Sequence, residues 1–173
     1  MSEFLENGDL GPKAAEGFRF AVVVSRFNAD ITEALFEGVQ TTLTAHGASS
    51  SNISVYEVPG SFELPMTVAR LSDERFDAII CLAAIIKGET PHFDYLSSSV
   101  AHGIQEVAVH SGTPAIWGVL TCEQRKHAVA RAGGNKGNKG TEAAITAIKM
   151  AKLFSLIPER HPERTSSIDL SRK

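Results

Sequence analysis

Residues 87–95 read KGETPHFDY, and this stretch gathers groups that could handle both an anion and a proton. Thr90 is a good helix N-cap, and Pro91 suits the first helical position, where a missing amide hydrogen costs nothing. A helix beginning there offers free backbone amides and its positive dipole end to a phosphate, and Gly88 lets the backbone come close. His92 falls in the first turn, where the dipole favours the neutral imidazole, the form that takes a proton and returns it. Two readings of this turn stand side by side. One is a solvated histidine on an ordinary capped helix; the other is a proton carrier beside an anion seat. Glu89 weighs against the second unless its side chain turns away from the anion.

Three other stretches carry candidate groups. In RFNAD, residues 26–30, Phe27 directly follows an apolar run, where an aromatic can pack into a core or stack on a planar ring. In VPGSFE, residues 58–63, Ser61 can cap the next helix with Glu63 in its first turn. Capping accounts for Glu63, yet amides and a carboxylate in one turn could also hold a polyol or a ring edge. The glycine-rich RAGGNKGNKG, residues 131–140, fails the phosphate-loop pattern because no Ser or Thr follows a Gly-Lys pair. No strand precedes its glycines, so it fails the dinucleotide fingerprint too. It reads as a flexible basic connection, although Arg131, Lys136 and Lys139 could bind oxyanions. The histidines show no metal-ligand spacing, and neither a Gly-x-Ser-x-Gly elbow nor a Cys-His nucleophile pattern occurs. Metal-assisted hydrolysis and covalent acyl transfer lose their support.

The elements that must position these groups are visible as a change of hydrophobic period. Residues 18–25, 53–58, 76–86 and 114–120 are apolar runs of strand length, which predicts parallel strands covered on both faces. Helices are expected between them. Ile31, Leu35, Val39 and Leu43 mark one over 30–46, with DITE as a capping box and Gly47 as its stop. Phe93, Leu96, Val100, Ile104 and Val107 mark another over 91–110, ended by Gly112. Shorter helices are expected over 62–71 and 122–132, and a last one over 140–156 that buries Ile145, Ile148 and Ala151. Strand and helix alternate, which specifies a layered α/β sandwich with right-handed crossovers. Ligands of such sheets bind outside the carboxyl ends of the strands, so the loops at 26–30, 59–63, 87–92 and 121–124 should open on one edge.

The chain has 173 residues, 43% of them hydrophobic, enough for one domain with a proper core. A net charge of −3 gives no general attraction to nucleic acid. Cys81 and Cys122 form no paired-cysteine motif, and Cys81 sits in an apolar strand where a reduced thiol packs as a small hydrophobe. No window spans a bilayer and the N-terminus lacks the pattern of an export signal, so a cytoplasmic protein without membrane contact is expected. Residues 1–16 and 158–173 are polar and rich in turn formers, and read as flexible arms or contacts to a neighbouring subunit around a domain of residues 17–157.

RFN, PGSFELP, KGETPHFDY, GVLT and RAG followed by KGNKG occur in this order over about residues 18–154. With these stretches in register the chain resembles the 6,7-dimethyl-8-ribityllumazine synthase family. The resemblance implies a flavodoxin-like three-layer sandwich around a central four-stranded parallel sheet, with an N-terminal segment adding to a neighbour's sheet. It implies homopentamers, assembled in some members into an icosahedral shell, with active sites between adjacent subunits. The implied reaction is a transferase reaction of riboflavin biosynthesis that needs neither metal nor organic cofactor. Two small molecules, 5-amino-6-(D-ribitylamino)uracil and 3,4-dihydroxy-2-butanone 4-phosphate, condense to the lumazine, phosphate and water. Riboflavin synthase is an implied candidate partner.

By the same resemblance Phe27 stacks on the pyrimidine, while Ser61, Phe62 and Glu63 hold the ribityl chain and ring edge. The backbone of Ala84, Ile85 and Ile86 bonds the pyrimidine. Gly88, Glu89 and Thr90 seat the phosphate through their backbone, with His92 as proton carrier. The neighbour supplies Trp117 over the ring, Arg131 on the phosphate and Lys139 near the ribityl and phosphate region. Lys87 stands where the family usually has arginine, Trp117 where phenylalanine is common, Thr141 where tryptophan is frequent and Lys136 where histidine can occur. The short GGNKGNKG connection lacks the insertion of members that stop at pentamers, which favours the icosahedral form. Two competing readings are a non-catalytic flavin or lumazine binder, which would need no proton carrier beside a phosphate seat, and a flavodoxin-like electron carrier or signalling domain. SRFNAD supplies the latter with neither a phosphate loop nor an acidic phosphoacceptor pocket.

Overall fold

The computed structural model describes residues 10–157. Four strands, β1 (Phe20–Ser25), β2 (Ile53–Val58), β3 (Ala78–Ile86) and β4 (Ala115–Cys122), form one parallel sheet in the order β2-β1-β3-β4. The two inner strands are the most apolar, and β1 is buried throughout. The edge strand β2 departs from the expectation of strands covered on both faces, because Val55, Tyr56 and Glu57 are exposed. Among the described residues nothing pairs with its outer edge.

Alternation along each strand feeds two cores. On one face Phe20, Val22, Ile80 and Leu82 meet Leu35 and Val39 of α1 (Ala29–Ala45) and Ala144 and Ile148 of α5 (Lys139–Ser155). On the other, Ala21, Val23, Ile79 and Cys81 meet Leu64 and Val68 of α2 (Leu64–Leu71) and Val100 and Ile104 of α3 (His92–Ser111). The result is a three-layer, flavodoxin-like sandwich. A fully buried leucine such as Leu35 contributes about 2 kcal/mol by transfer alone.

Helix ends follow the sequence signals at the glycines and depart from them elsewhere. At the end of α1 the Ala48 amide donates to the Leu43 carbonyl and the Gly47 amide to that of Thr44, both at 3.0 Å, with Gly47 at φ 92. This is the Schellman arrangement that a left-handed glycine permits. Gly112, at φ 75, ends α3. The DITE capping box does not form: α1 starts at Ala29 behind Asn28, and the Asp30 carboxylate pairs with Arg125 instead. The helix expected over 122–132 is only α4 (Arg125–Val129), since the chain then turns into a ribbon of β5 (Ala132–Gly134) and β6 (Gly137–Asn138). Residues 1–9 and 158–173, most of the two expected arms, lie outside the described residues. Residues 10–16 fold back on the domain, where Ala15 is fully buried and its amide donates to the His46 carbonyl at 2.9 Å.

The helices joining β1 to β2 and β3 to β4 lie on opposite faces, so the connections leaving adjacent β1 and β3 diverge. That divergence opens a crevice at the carboxyl edge of the sheet.

Candidate active site

The loop after β1 opens the crevice. The Arg26 amide donates to the Val58 carbonyl at 2.8 Å, which fixes the chain as it leaves the sheet. Phe27 follows with 71% of its surface exposed, so this aromatic is not core. The loop after β2 closes into a 3-10 turn (Ser61–Glu63) in which Ser61 is buried. Glu63 takes the Gly60 amide at 2.9 Å and its carbonyl takes the Thr67 hydroxyl at 2.9 Å. Its carboxylate is therefore tied into its own turn. The cap comes from Glu63 reaching back, and Ser61 does not supply it.

Beyond β3 the Lys87 amide donates to the Cys122 carbonyl at 2.9 Å, and its ammonium lies 3.6 Å from the Glu123 carboxylate. Gly88, Glu89 and Thr90 then run exposed into α3. Pro91 already has near-helical dihedrals, φ −63 and ψ −1, and the Thr90 hydroxyl accepts from the His92 amide at 3.4 Å. The helix starts one residue later than these types predict: Pro91 and not Thr90 stands at the N-cap, without a side-chain cap bond, and His92 is the first helical residue. The His92 imidazole is exposed and has no hydrogen-bond partner among the described residues.

Phe27, Ser61 and His92 line one hollow of about 220 Å³ together with Ala84, Ile85, Ile86, Gly88 and Thr90. Phe93 and Leu96 of α3, which the sequence marks only as part of a helical stripe, add apolar lining. Phe62, exposed at 65%, Glu63 and Glu89 do not line this hollow.

The remaining candidates lie around a second, open concavity of about 550 Å³ along the outer edge of β4. Trp117 is opposite Cys81 in register and 40% exposed, because β4 is the last strand on that side. Arg131 and Lys139 come together because the β5-β6 ribbon folds the chain back, and the Lys139 amide donates to the Arg131 carbonyl at 2.8 Å. The stretch expected as a flexible connection is thus a tight antiparallel turn, with Gly133 at φ 102 and Gly137 at φ 79. Lys136 stands exposed at its tip, outside the concavity. Asn138 secures its end: its side chain accepts from the Gly140 amide and donates to the Ala34 carbonyl of α1, both at 2.8 Å.

Charge in this concavity is unevenly matched. The Lys139 ammonium is 2.5 Å from the Glu142 carboxylate. Arg131 donates to the His127 carbonyl at 3.0 Å and has no carboxylate partner among the described residues. Burial pushes the Cys122 thiol up, and the positive charge of Arg131 pulls it partly back. Glu142 was the readable omission, since an acid three residues after a lysine at a helix start is the spacing of a side-chain pair.

Apart from Phe62, Glu63, Glu89 and Lys136, which line neither hollow, the expected residues form two sets with no lining residue in common. One set holds an aromatic, strand-end backbone, a helix start and an imidazole without a hydrogen-bond partner among the described residues. The other holds an aromatic, an arginine without an acidic partner and a lysine. The family model described as 6,7-dimethyl-8-ribityllumazine synthase matches residues 17–155 of this chain.

Proposed function

Because the chain belongs to the 6,7-dimethyl-8-ribityllumazine synthase family, we propose that it condenses 5-amino-6-(D-ribitylamino)uracil with 3,4-dihydroxy-2-butanone 4-phosphate in a site completed by a second copy of itself. The observation that carries the reading is the division of the pocket. Phe27 and His92 line one hollow and Arg131 lines another, so no single protomer presents the proton carrier and the unpaired guanidinium to one ligand. A closed oligomer that sets the β4 edge of one protomer against the crevice of the next would join them. The homopentamer and its icosahedral assembly are the forms proposed for it.

In that joined site the pyrimidine stacks on Phe27, its edge meeting the backbone of Ala84 to Ile86. Ser61, Phe62 and Glu63 take the ribityl chain. The exposed amides from Gly88 to Thr90 seat the phosphate with Arg131 opposite, and Trp117 and Lys139 close the far side. Only the Glu89 amide need face the anion, which removes the objection raised by its charge.

The substrate amine adds to the ketone and loses water to give an imine. Loss of a proton from the neighbouring carbon then expels phosphate and leaves an enol. The enol gains a proton at its terminal carbon and gives up its hydroxyl proton to become a ketone. The ribitylamino nitrogen closes on the carbonyl so uncovered, with loss of a second water. Each step moves a proton between oriented partners, which one imidazole and water can do. The bidentate hold of an arginine on the leaving phosphate suits the developing charge.

Intersubunit complementation tests both halves of the proposal. His92→Ala and Arg131→Ala chains are each assayed alone, then co-assembled in equal amounts at low butanone phosphate. Random mixing regenerates an intact site wherever a His92-bearing crevice meets an Arg131-bearing edge, so about a quarter of the sites should recover. Absence of lumazine fluorescence from the unaltered protein would sink the reaction. Absence of recovery in the mixture would sink the shared site alone.

A further inference from the structure

Phe27 is too exposed for packing to hold its ring, so its direction depends on the backbone to either side. On one side the Arg26 amide is bonded to Val58, and its guanidinium reaches Glu33 at 3.1 Å and Glu57 at 3.4 Å. On the other side Asn28, at φ 61 and ψ 48, is the single non-glycine residue with positive φ among those described. Asparagine tolerates that region better than most residues, but the conformation still needs local support. The support is specific. The Asn28 amide nitrogen donates to the Ala84 carbonyl at 2.9 Å, and its amide oxygen accepts from Arg125 at 3.3 Å.

Arg125 does not stop there. Its second terminal nitrogen pairs with the Asp30 carboxylate, and this contact holds the carboxyl below its usual range. One guanidinium thus closes the β1-α1 turn against the start of α4, across 95 residues of sequence. Its two planar donors suit the two acceptors, an arrangement a lysine cannot copy.

We propose that Arg125, by bridging Asn28 and Asp30, is a positioning residue that holds the turn carrying Phe27 in place for the pyrimidine. The claim rests on the proposed reaction for the identity of that ligand, but its geometric part does not. An exposed ion pair adds little global stability, so losing it should show in the turn and its ligand and not in the melting temperature.

The test compares intact chains bearing Arg125→Leu, Arg125→Lys and Asp30→Asn. Arg125→Leu should raise the KM for the pyrimidine substrate about fivefold while the melting temperature and the KM for the butanone phosphate stay near their original values. Arg125→Lys should recover part of the loss, and Asp30→Asn, which leaves the Asn28 contact, should show a smaller defect. Amide hydrogen exchange at residues 26–30 gives the readout that needs no activity, and it should quicken in Arg125→Leu. An unchanged pyrimidine KM, or a rise in both KM values together, overturns the proposal. If the unaltered protein makes no lumazine, the underlying reaction fails, and exchange alone decides: unchanged protection at 26–30 overturns the positioning claim, and quickened exchange supports it.

Discussion

Gly140, in the first turn of α5, lies against α1 so closely that a Cβ at this position would stand 1.9 Å from the carbonyl oxygen of Leu35. Backbone cannot yield as a flexible side chain can, so the start of α5 would have to move. Gly140→Ala should therefore lose about 3 kcal/mol of stability, the upper end for overpacking. Lys139 is the preceding residue, so the concavity along β4 should be disturbed as well. Gly137→Ala is the control, because at φ 79 it meets strain but open space. Its cost should be about 1 kcal/mol. Denaturant unfolding of both variants checks the order.

Phe27 and Arg131 line separate hollows, and their losses should separate by substrate. Phe27→Ala should raise the KM for the pyrimidine, because stacking area disappears. Arg131→Ala should raise the KM for the butanone phosphate, because the guanidinium without an acidic partner is gone. Steady-state kinetics with each substrate varied in turn reads the two effects. Equal effects of both variants on one substrate would contradict the proposed division of the pocket.

The His92 ring has no partner among the described residues, so removing it should leave the fold alone. His92→Ala should change stability by no more than about 0.5 kcal/mol. A proton carrier lost from the reacting centre should lower kcat by roughly 10²- to 10⁴-fold. Pyrimidine binding, measured by titration, should weaken far less. A variant that turns over normally would return His92 to the status of a solvated helix residue.

How far the sequence reached depends on which force sets each feature. The four strands and the helices α1, α2, α3 and α5 are legible because burial dictates their period. Ile145, Ile148 and Ala151 are buried as their spacing requires. The Gly47 and Gly112 stops are legible because few residues other than glycine take positive φ readily. Features set by one distant partner were not. DITE reads as a cap, but Arg125, far along the chain, draws Asp30 away. The glycine-rich stretch 131–140 reads as flexible until Asn138 finds the Ala34 carbonyl and pins the ribbon to α1. The exposed face of β2 was missed because an apolar run does not announce whether its strand will lie inside the sheet or at its edge. Within the candidate site, the start of α3 beside Thr90 and Pro91 followed from local types, although the cap falls on Pro91 and not on Thr90. The grouping of Phe27, Ser61 and His92 followed only from the parallel sheet, which brings its loops to one edge.

Cys81 lies in the core between the sheet and the α2-α3 layer, and burial pushes its thiol up to about 12 from an ordinary 9.0. Between those pH values the unfolded chain sheds a proton that the folded chain keeps, so unfolding gains on folding as the pH rises. The stability tied to this thiol is complete below pH 9 and is lost as the pH climbs towards 12, a change of about 4 kcal/mol at most. Cys81→Ala lacks the group, so its stability should decline less steeply through the alkaline range, from a starting value about 1 kcal/mol lower because of the cavity. Cys122 and the surface groups titrate in both proteins, so the difference between the two curves isolates Cys81. Urea unfolding at intervals from pH 8 to 11 measures it, and parallel curves would show that the buried thiol does not couple folding to alkaline pH.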